Sequence, residues 1–293
     1  MSILLFDIQQ ILIANLAMQL SGKYKNDLGV ITPKGMAVDE GLLRHMVLNS
    51  IRYNKTKFPK YKEVVIATDG YSWRREIFQY YKASRKTTRD ASSINWTEIF
   101  KTFATIKQEL KEYFPYRVII NERAEADDVI AQIVIREAPK RDVLIISGDH
   151  DFCQLQTFER VKQYDPTRKK FVSELNPVAY LREHILRGDV GDGIPNVISD
   201  DDSFVNPDKR QRPLKSKILK ELLQELSLGC LDKEHELNYN RNRTLIDLKQ
   251  CPKDLVEEIM TEYDAQEGKG RSRLFTYFVK NKLSNLLEQI QDF

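Results

Sequence analysis

Apolar residues gather in short runs near residues 3 to 6, 64 to 68, 117 to 120 and 143 to 147, separated by longer stretches with a helical period. Runs this short predict strands, and helix-length connections between them predict crossovers and hence a largely parallel sheet. Over residues 39 to 53 the period sets Leu42, Leu43, Met46, Val47 and Ile51 on one face, and over 95 to 113 it does the same for Ile99, Phe100, Phe103, Ile106 and Leu110. Val161 to Tyr164 and Lys170 to Ser173, about Asp165-Pro166-Thr167, read as a short hairpin or edge extension. Beyond Asn176 the β pattern fades, and helices are expected over 176 to 187, 214 to 228, 254 to 263, 271 to 281 and 283 to 291. The polar stretches Ser199 to Pro213 and Tyr71 to Ile94 read as mobile loops. The expected fold class is α/β, with a mostly parallel central sheet flanked by helices over residues 1–180 and a mostly helical region over 181–293.

Composition changes this picture little. The 293 residues are enough for one large domain with an extension or for two intimate lobes, and 41% hydrophobic against 30% charged residues suits a folded globular chain. Three widely spaced cysteines, Cys153, Cys230 and Cys251, form no CxxC pair and are expected as buried reduced thiols. The apolar N-terminus carries Asp7, Gln9, Gln10 and Asn15 and reads as a first strand and helix rather than a signal peptide. No stretch is expected to span a membrane, and a reducing cytoplasm is the expected compartment.

Charge matters through its distribution, since 46 basic and 43 acidic residues leave a net charge of only +3. Acids stand where predicted strands end: Asp7 after the first, Asp69 after the second, Glu125, Asp127 and Asp128 after the third, Asp149 and Asp151 after the fourth. Strand ends in an open α/β sheet share one edge, so these acids can meet in one crevice. Two carboxylates about 4 Å apart repel by roughly 4 kcal/mol at an effective dielectric near 20, so a crowd of them calls for cations. Oxygen donors select hard ions, Mg²⁺ or Mn²⁺, and a pair of such ions hydrolyses phosphodiesters. A metal-dependent nuclease is therefore the leading expectation.

Each constellation has an ordinary reading too. Asp149 and Asp151 could be turn or cap residues, and the acids at 125 to 128 could serve the dipole of the helix they open. Three acids in four positions exceed what capping needs, so Glu125, Asp127 and Asp128 are assigned to metal. Gly188-Asp189-Val190-Gly191-Asp192-Gly193 adds two acids in a glycine-rich turn, without the ligand order of an EF-hand. Arg74, Arg75, Lys82, Arg85 and Lys86 interleave with Trp73, Tyr80 and Tyr81, offering charges for phosphates and rings for bases. A second basic run, Lys209 to Lys220, holds six cations and no acid. The histidines show no ligand spacing, and His45 and His184 read as helix residues with structural roles.

At these residues the chain resembles the flap endonuclease and 5′-exonuclease family, above all its phage ribonuclease H members. The marks are LLFD at Asp7, VIATDG at Asp69, WRREIFQYYKASR through Lys82 and Arg85, EADD at Glu125 to Asp128, IISGDHDF at Asp149 and Asp151, and GDVGDGIPN at Asp189 and Asp192, over nearly the full length. The resemblance implies a PIN-like nuclease domain over 1–180 and a helical DNA-binding region over 181–293 with a helix-turn-helix-like duplex-binding element. It implies two Mg²⁺ ions, replaceable by Mn²⁺: Asp7, Asp69, Glu125 and Asp127 around the first, Asp149, Asp151, Asp189 and Asp192 around the second. Lys82 and Arg85 would grip the scissile phosphate. The substrates implied are RNA/DNA hybrids and 5′-flapped or nicked duplexes met during DNA replication. The implied partners are phage replication proteins, such as a single-strand binding protein or a clamp, and the implied state is a monomer. One departure stands out: the family's G-x-G-x-K segment has no match after Val197, which puts its monovalent cation in doubt and passes duplex binding to Lys215 and Lys217. Two readings compete. A dehalogenase-type phosphatase needs a D-x-D at the first strand, which Asp7-Ile8-Gln9 does not supply. A catalytically silent nucleic-acid-binding protein predicts gaps in the acidic set.

Overall fold

The computed structural model describes residues 2–21, 38–92 and 94–293, with the side chains of Lys86 and Thr88 outside the described residues. Strand β1 (Ser2–Asp7) leads through α1 (Ile8–Leu20) and α2 (Glu40–Lys57) to β2 (Tyr61–Ala67). Two short helices, α3 (Arg74–Ile77) and α4 (Ala83–Asp90), and the long α5 (Trp96–Tyr113) precede β3 (Arg117–Ile119). Then come α6 (Ala126–Glu137), β4 (Val143–Ile146), a 3₁₀ helix (His150–Thr157), β5 (Val161–Asp165) and β6 (Lys170–Val172). Six helices follow: α7 (Pro177–Arg187), α8 (Ser216–Leu228), α9 (Lys233–Ile246), α10 (Lys253–Ala265), α11 (Leu274–Lys280) and α12 (Ser284–Leu287).

The sheet order is β3-β2-β1-β4-β5-β6, parallel except for β6. Strand residues alternate between two cores. Leu4, Phe6, Val64, Ile66, Leu144 and Ile146 face α1, α2 and α5, while Ile3, Leu5, Val65, Ala67, Val143 and Ile145 face α6. Burial on both faces explains why the strands read as unbroken apolar runs rather than alternating ones. Phe6 lies opposite Ile66 on one side and Ile146 on the other, so three strands finish level. The chain leaves β1 toward β2 and β3 and later returns to its other flank as β4. That reversal opens a crevice beyond the carboxyl ends of β1 and β4.

The segment from α10 onward seals both faces. Leu255, Ile259 and Tyr263 of α10 join the core under α6, and Leu274, Tyr277, Phe278 and Phe293 join the core under α1 and α5. Smaller clusters hold the connection to α8 and α9, one about Phe78, Tyr81, Ile185 and Ile246, the other about Leu186, Val197, Leu219 and Leu222.

Three expectations change. Helix α9 is absent from the sequence-based reading, because its sequence KEHELNYNRNRTLI carries few apolar residues. Asp232 starts it by accepting from the backbone N–H groups of Glu234 and His235, and Leu245 and Ile246 bury its far end. The stretch Tyr71 to Ile94 is no plain loop, since it contains α3 and α4 and buries Trp73, Phe78 and Tyr81. Of the three cysteines, Cys230 is exposed while Cys153 and Cys251 are buried.

Candidate metal centre and nucleic-acid interface

The level strand ends deliver acids to one place. A crevice of about 380 Å³ is lined by seven aspartates, Asp7, Asp69, Asp127, Asp149, Asp151, Asp189 and Asp192, together with Lys82 and Arg85. Asp7 caps α1 by accepting from the Gln10 N–H, and its other oxygen accepts from the Ser147 hydroxyl at 3.1 Å. The same hydroxyl accepts from the Asp149 N–H, so a wholly buried serine ties the ends of β1 and β4 together. Asp69 accepts from the Ala126 N–H at 2.8 Å, which fastens the end of β2 to the start of α6. Gly70 permits this closeness: a Cβ there would lie 2.2 Å from the Asn121 carbonyl. Asp149 caps the 3₁₀ helix through the Asp151 N–H at 3.0 Å, aiming both carboxylates into the crevice.

The crowding has an electrostatic signature. Burial, reinforced by Asp69 and Asp149, pushes the Asp7 carboxyl up to about 7. Burial and the neighbouring Asp149 push Asp151 up to about 7 as well. Asp127 is raised by burial and by Asp149, and Asp69 by burial and by Glu125. Ionised together at neutral pH, these groups repel one another, and a divalent ion removes that cost. Oxygen donors of this density suit Mg²⁺ or Mn²⁺.

Glu125 is held apart from that set. Its oxygens accept from the Ser72 hydroxyl at 2.8 Å, the Tyr81 hydroxyl at 2.7 Å, Arg74 at 3.2 Å and Lys82 Nζ at 2.5 Å. Against burial, Lys82 and Arg74 hold its carboxyl down at about 2. Lys82 also stands 3.3 Å from Asp192, whose other oxygen meets Arg85 at 2.6 Å. Lys82 adopts a left-handed backbone at φ 55° and opens α4. Its N–H donates to the Asp192 carbonyl at 2.7 Å, and a Cβ on Gly193, itself at φ 73°, would crowd the Tyr80 carbonyl at 3.0 Å. The acidic turn and the basic segment therefore interlock, and both expected cations face the crevice.

Several assigned residues do something else. Asp128, expected as a metal ligand, is fully buried away from the crevice, with both oxygens engaged by Arg74 at 2.9 and 3.0 Å and one also by the Glu125 N–H. Arg74, expected on nucleic acid, is 2% exposed and donates further to the Leu245 carbonyl at 2.7 Å, so it ties α3, α6 and α9 together. Tyr81, expected as a stacking ring, is buried and bridges Glu125 and Asp192 through its hydroxyl. Arg75 remains partly exposed over the Tyr71 ring, and Lys86 lies outside the described side chains. Lys215 and Lys217 are exposed at the start of α8, remote in sequence and absent from the crevice lining. The basic run is partly neutralised, since Lys209 pairs with Asp200 and Asp202.

Sequence reading missed other groups. A cleft of about 970 Å³ shares Asp69, Lys82 and Arg85 with the crevice and continues along Tyr71, Arg75, Arg89, Trp96, Phe100 and Lys107. Phe100, expected in a core stripe, is 39% exposed and lies under Arg89. His184, expected in a structural role, has its ring between Asp151 and Asp189. Its place one turn before Gly188 is the only sequence signal for this.

Comparison with known proteins agrees with this geometry. Residues 24–183 match the model of the 5′-3′ exonuclease N-terminal resolvase-like domain, and residues 178–293 match that of the T4 RNase H C-terminal region. The ribonuclease H of Enterobacteria phage T4 is 33% identical over 274 residues, 89% of this chain and 90% of that protein. Flap endonuclease Xni of Shewanella halifaxensis is 28% identical over 150 residues, 47% of this chain and 55% of its own. Among solved structures, the T5 5′-exonuclease with bound divalent metal ions (zinc) aligns over 90% of this chain and 99% of its own, with a TM-score of 0.63 at 16% identity. A T5 flap endonuclease in complex with DNA and metal ions aligns over 91% of this chain and 99% of its own, with a TM-score of 0.60 at 16% identity. Similarity over both halves of the chain, on a fold that levels the acidic strand ends, shows that this protein is a nuclease of the 5′-3′ exonuclease family.

Proposed function

We propose that the protein is a Mg²⁺-dependent 5′-nuclease with ribonuclease H and flap endonuclease activity, acting on RNA/DNA hybrids and 5′-flapped duplexes during DNA replication. The observation that carries this reading is the seven-aspartate crevice at the level ends of β1, β2 and β4. Asp7, Asp69 and Asp127 with Glu125 serve the first ion, and Asp149 and Asp151 with the Asp189–Asp192 turn serve the second. Bound there, the ions supply Lewis-acid activation of water and of the phosphate. The chain's own residues do the rest. Lys82 and Arg85 leave Glu125 and Asp192 to meet the negative charge that grows on the phosphate, while Tyr81 and Ser72 keep Glu125 in place. The cleft past Tyr71, Arg75, Arg89 and Phe100 offers cations and exposed rings to a single strand, and α7 and α8 with Lys215 and Lys217 offer a grip on the duplex. On this reading the region beyond residue 180 serves both ends of the task, completing the crevice through Asp189 and Asp192 and gripping the duplex beyond them. The replication role is what the resemblance to the flap endonuclease and 5′-exonuclease family implies.

The test is incubation of a 5′-labelled RNA/DNA hybrid and a 5′-flapped duplex with the protein in Mg²⁺, in Mn²⁺ and in EDTA. Cleavage of both in either metal and of neither in EDTA is expected. Absence of metal-dependent cleavage on both substrates overturns the proposal.

A further inference from the structure

Asp151, His184 and Asp189 each offer a ligand atom within 4.8 Å of the others. The Nδ1 atom of His184 lies 3.5 Å from Asp151 Oδ1, and its Nε2 lies 3.5 Å from Asp189 Oδ2. The two ring nitrogens differ in what they lack. Nδ1 is buried without a hydrogen-bond partner, an arrangement that costs free energy unless something fills it. Asp189 is already engaged on both sides, since its Oδ1 accepts from the Asp192 N–H at 3.0 Å while its Oδ2 faces the imidazole.

We infer that His184 Nδ1 is a direct ligand of the second metal position, beside Asp151, with Asp189 orienting the imidazole through Nε2–H. In an octahedral shell two neighbouring donors, each about 2.1 Å from the ion, stand about 3.0 Å apart, so the pair needs to close by only about half an ångström to share an ion. A carboxylate behind the far ring nitrogen fixes the tautomer and strengthens the ligand, a common arrangement at metal-bound histidines. Imidazole nitrogen favours later transition ions over Mg²⁺, so this position prefers Mn²⁺ over Mg²⁺ more strongly than an all-oxygen site would. The two metal positions thereby differ in kind.

The competing arrangement is a plain ion pair of an imidazolium with the two aspartates. The two make opposite predictions. A ligand histidine holds the ion, so its loss weakens binding; a resident cation repels the ion, so its loss strengthens binding. The inference rests on the proposed metal reading, and the experiment separates their failures. Mn²⁺ binding to the whole 293-residue chain, followed by calorimetry and by pulsed electron paramagnetic resonance, is expected to show nitrogen modulation that changes when histidine is labelled with ¹⁵N. His184→Gln should remove that modulation and weaken one Mn²⁺ site at least about tenfold, with Mg²⁺ weakened by no more than about threefold. His150→Gln should leave the modulation intact, although His150 lies on the same edge with its Nδ1 3.9 Å from Cys153 Sγ. Two bound Mn²⁺ ions without nitrogen modulation, or equal or tighter binding in a folded His184→Gln protein, overturns this inference alone. No Mn²⁺ binding by the wild-type protein overturns it together with the metal reading.

Discussion

Replacing Arg74 by methionine tests whether this residue is a structural tie or a nucleic-acid contact. Its guanidinium is buried, and it meets Asp128 at 2.9 and 3.0 Å, Glu125 at 3.2 Å and the Leu245 carbonyl at 2.7 Å. Methionine keeps most of the volume and removes the charge, leaving Asp128 buried with no cation. Breaking one side of a buried pair costs about 3 to 5 kcal/mol. For a chain of this size that corresponds to a fall in Tm of roughly 6 to 15 °C, at about 2 to 3 °C per kcal/mol. Urea unfolding followed by circular dichroism gives the free energy directly. Adding Asp128→Asn to Arg74→Met removes the stranded charge and should recover at least about 1 kcal/mol of the deficit. A destabilisation below about 1 kcal/mol, with weakened duplex binding by the folded variant, would return Arg74 to the nucleic-acid interface.

Asp149→Asn should abolish cleavage of a flapped duplex while leaving its binding within about threefold in a filter or gel assay, because the residue serves the ions rather than the grip; wild-type turnover removes its assignment. Burial and neighbouring acids raise Asp7 and Asp151 to about 7, above the ordinary value of 3.8. Folding therefore favours their protonated forms, so their contribution to metal-free stability is present in acid and is lost as pH rises through about 7. The rise in Tm on adding Mg²⁺ should accordingly be larger at about pH 8 than at about pH 6, and an equal rise at both would contradict the crowding described. Lys215→Glu with Lys217→Glu should weaken duplex binding and lower the salt slope by roughly one for each phosphate that is no longer neutralised, with folding unchanged; an unaltered slope places the duplex elsewhere.

The sheet and the acids at its strand ends were readable because both depend on local sequence. A strand buried on both faces must be apolar throughout, and acids recurring at four strand ends are more than turns and caps require. What could not be read depends on partners distant in the chain. Asp127 and Asp128 are neighbours with the same side chain; Asp127 lines the crevice, while Asp128 turns back to the Glu125 N–H and to Arg74, which arrives from across the fold. Tyr81 looks like a base platform until Glu125 and Asp192 claim its hydroxyl. His184 sits on an ordinary helix, and its neighbours Asp151 and Asp189 arrive from different segments. Helix α9 is hard to see in the sequence because its burial is concentrated at one end.

The closing helices set a limit on when this molecule can act. Phe278 and Phe293 lie in the same core as Leu4 and Phe6, so the strand that carries Asp7 finishes packing only against residues made far later. Burying one such side chain contributes about 1.5 to 3 kcal/mol, and several are involved. A polypeptide halted before α10 would therefore carry every crevice aspartate and still lack the walls that align them. Emergence from the ribosome then times the activity: the cutting site is expected to mature only once α10, α11 and Phe293 are out, and fragments ending before α10 are expected to lack cleavage.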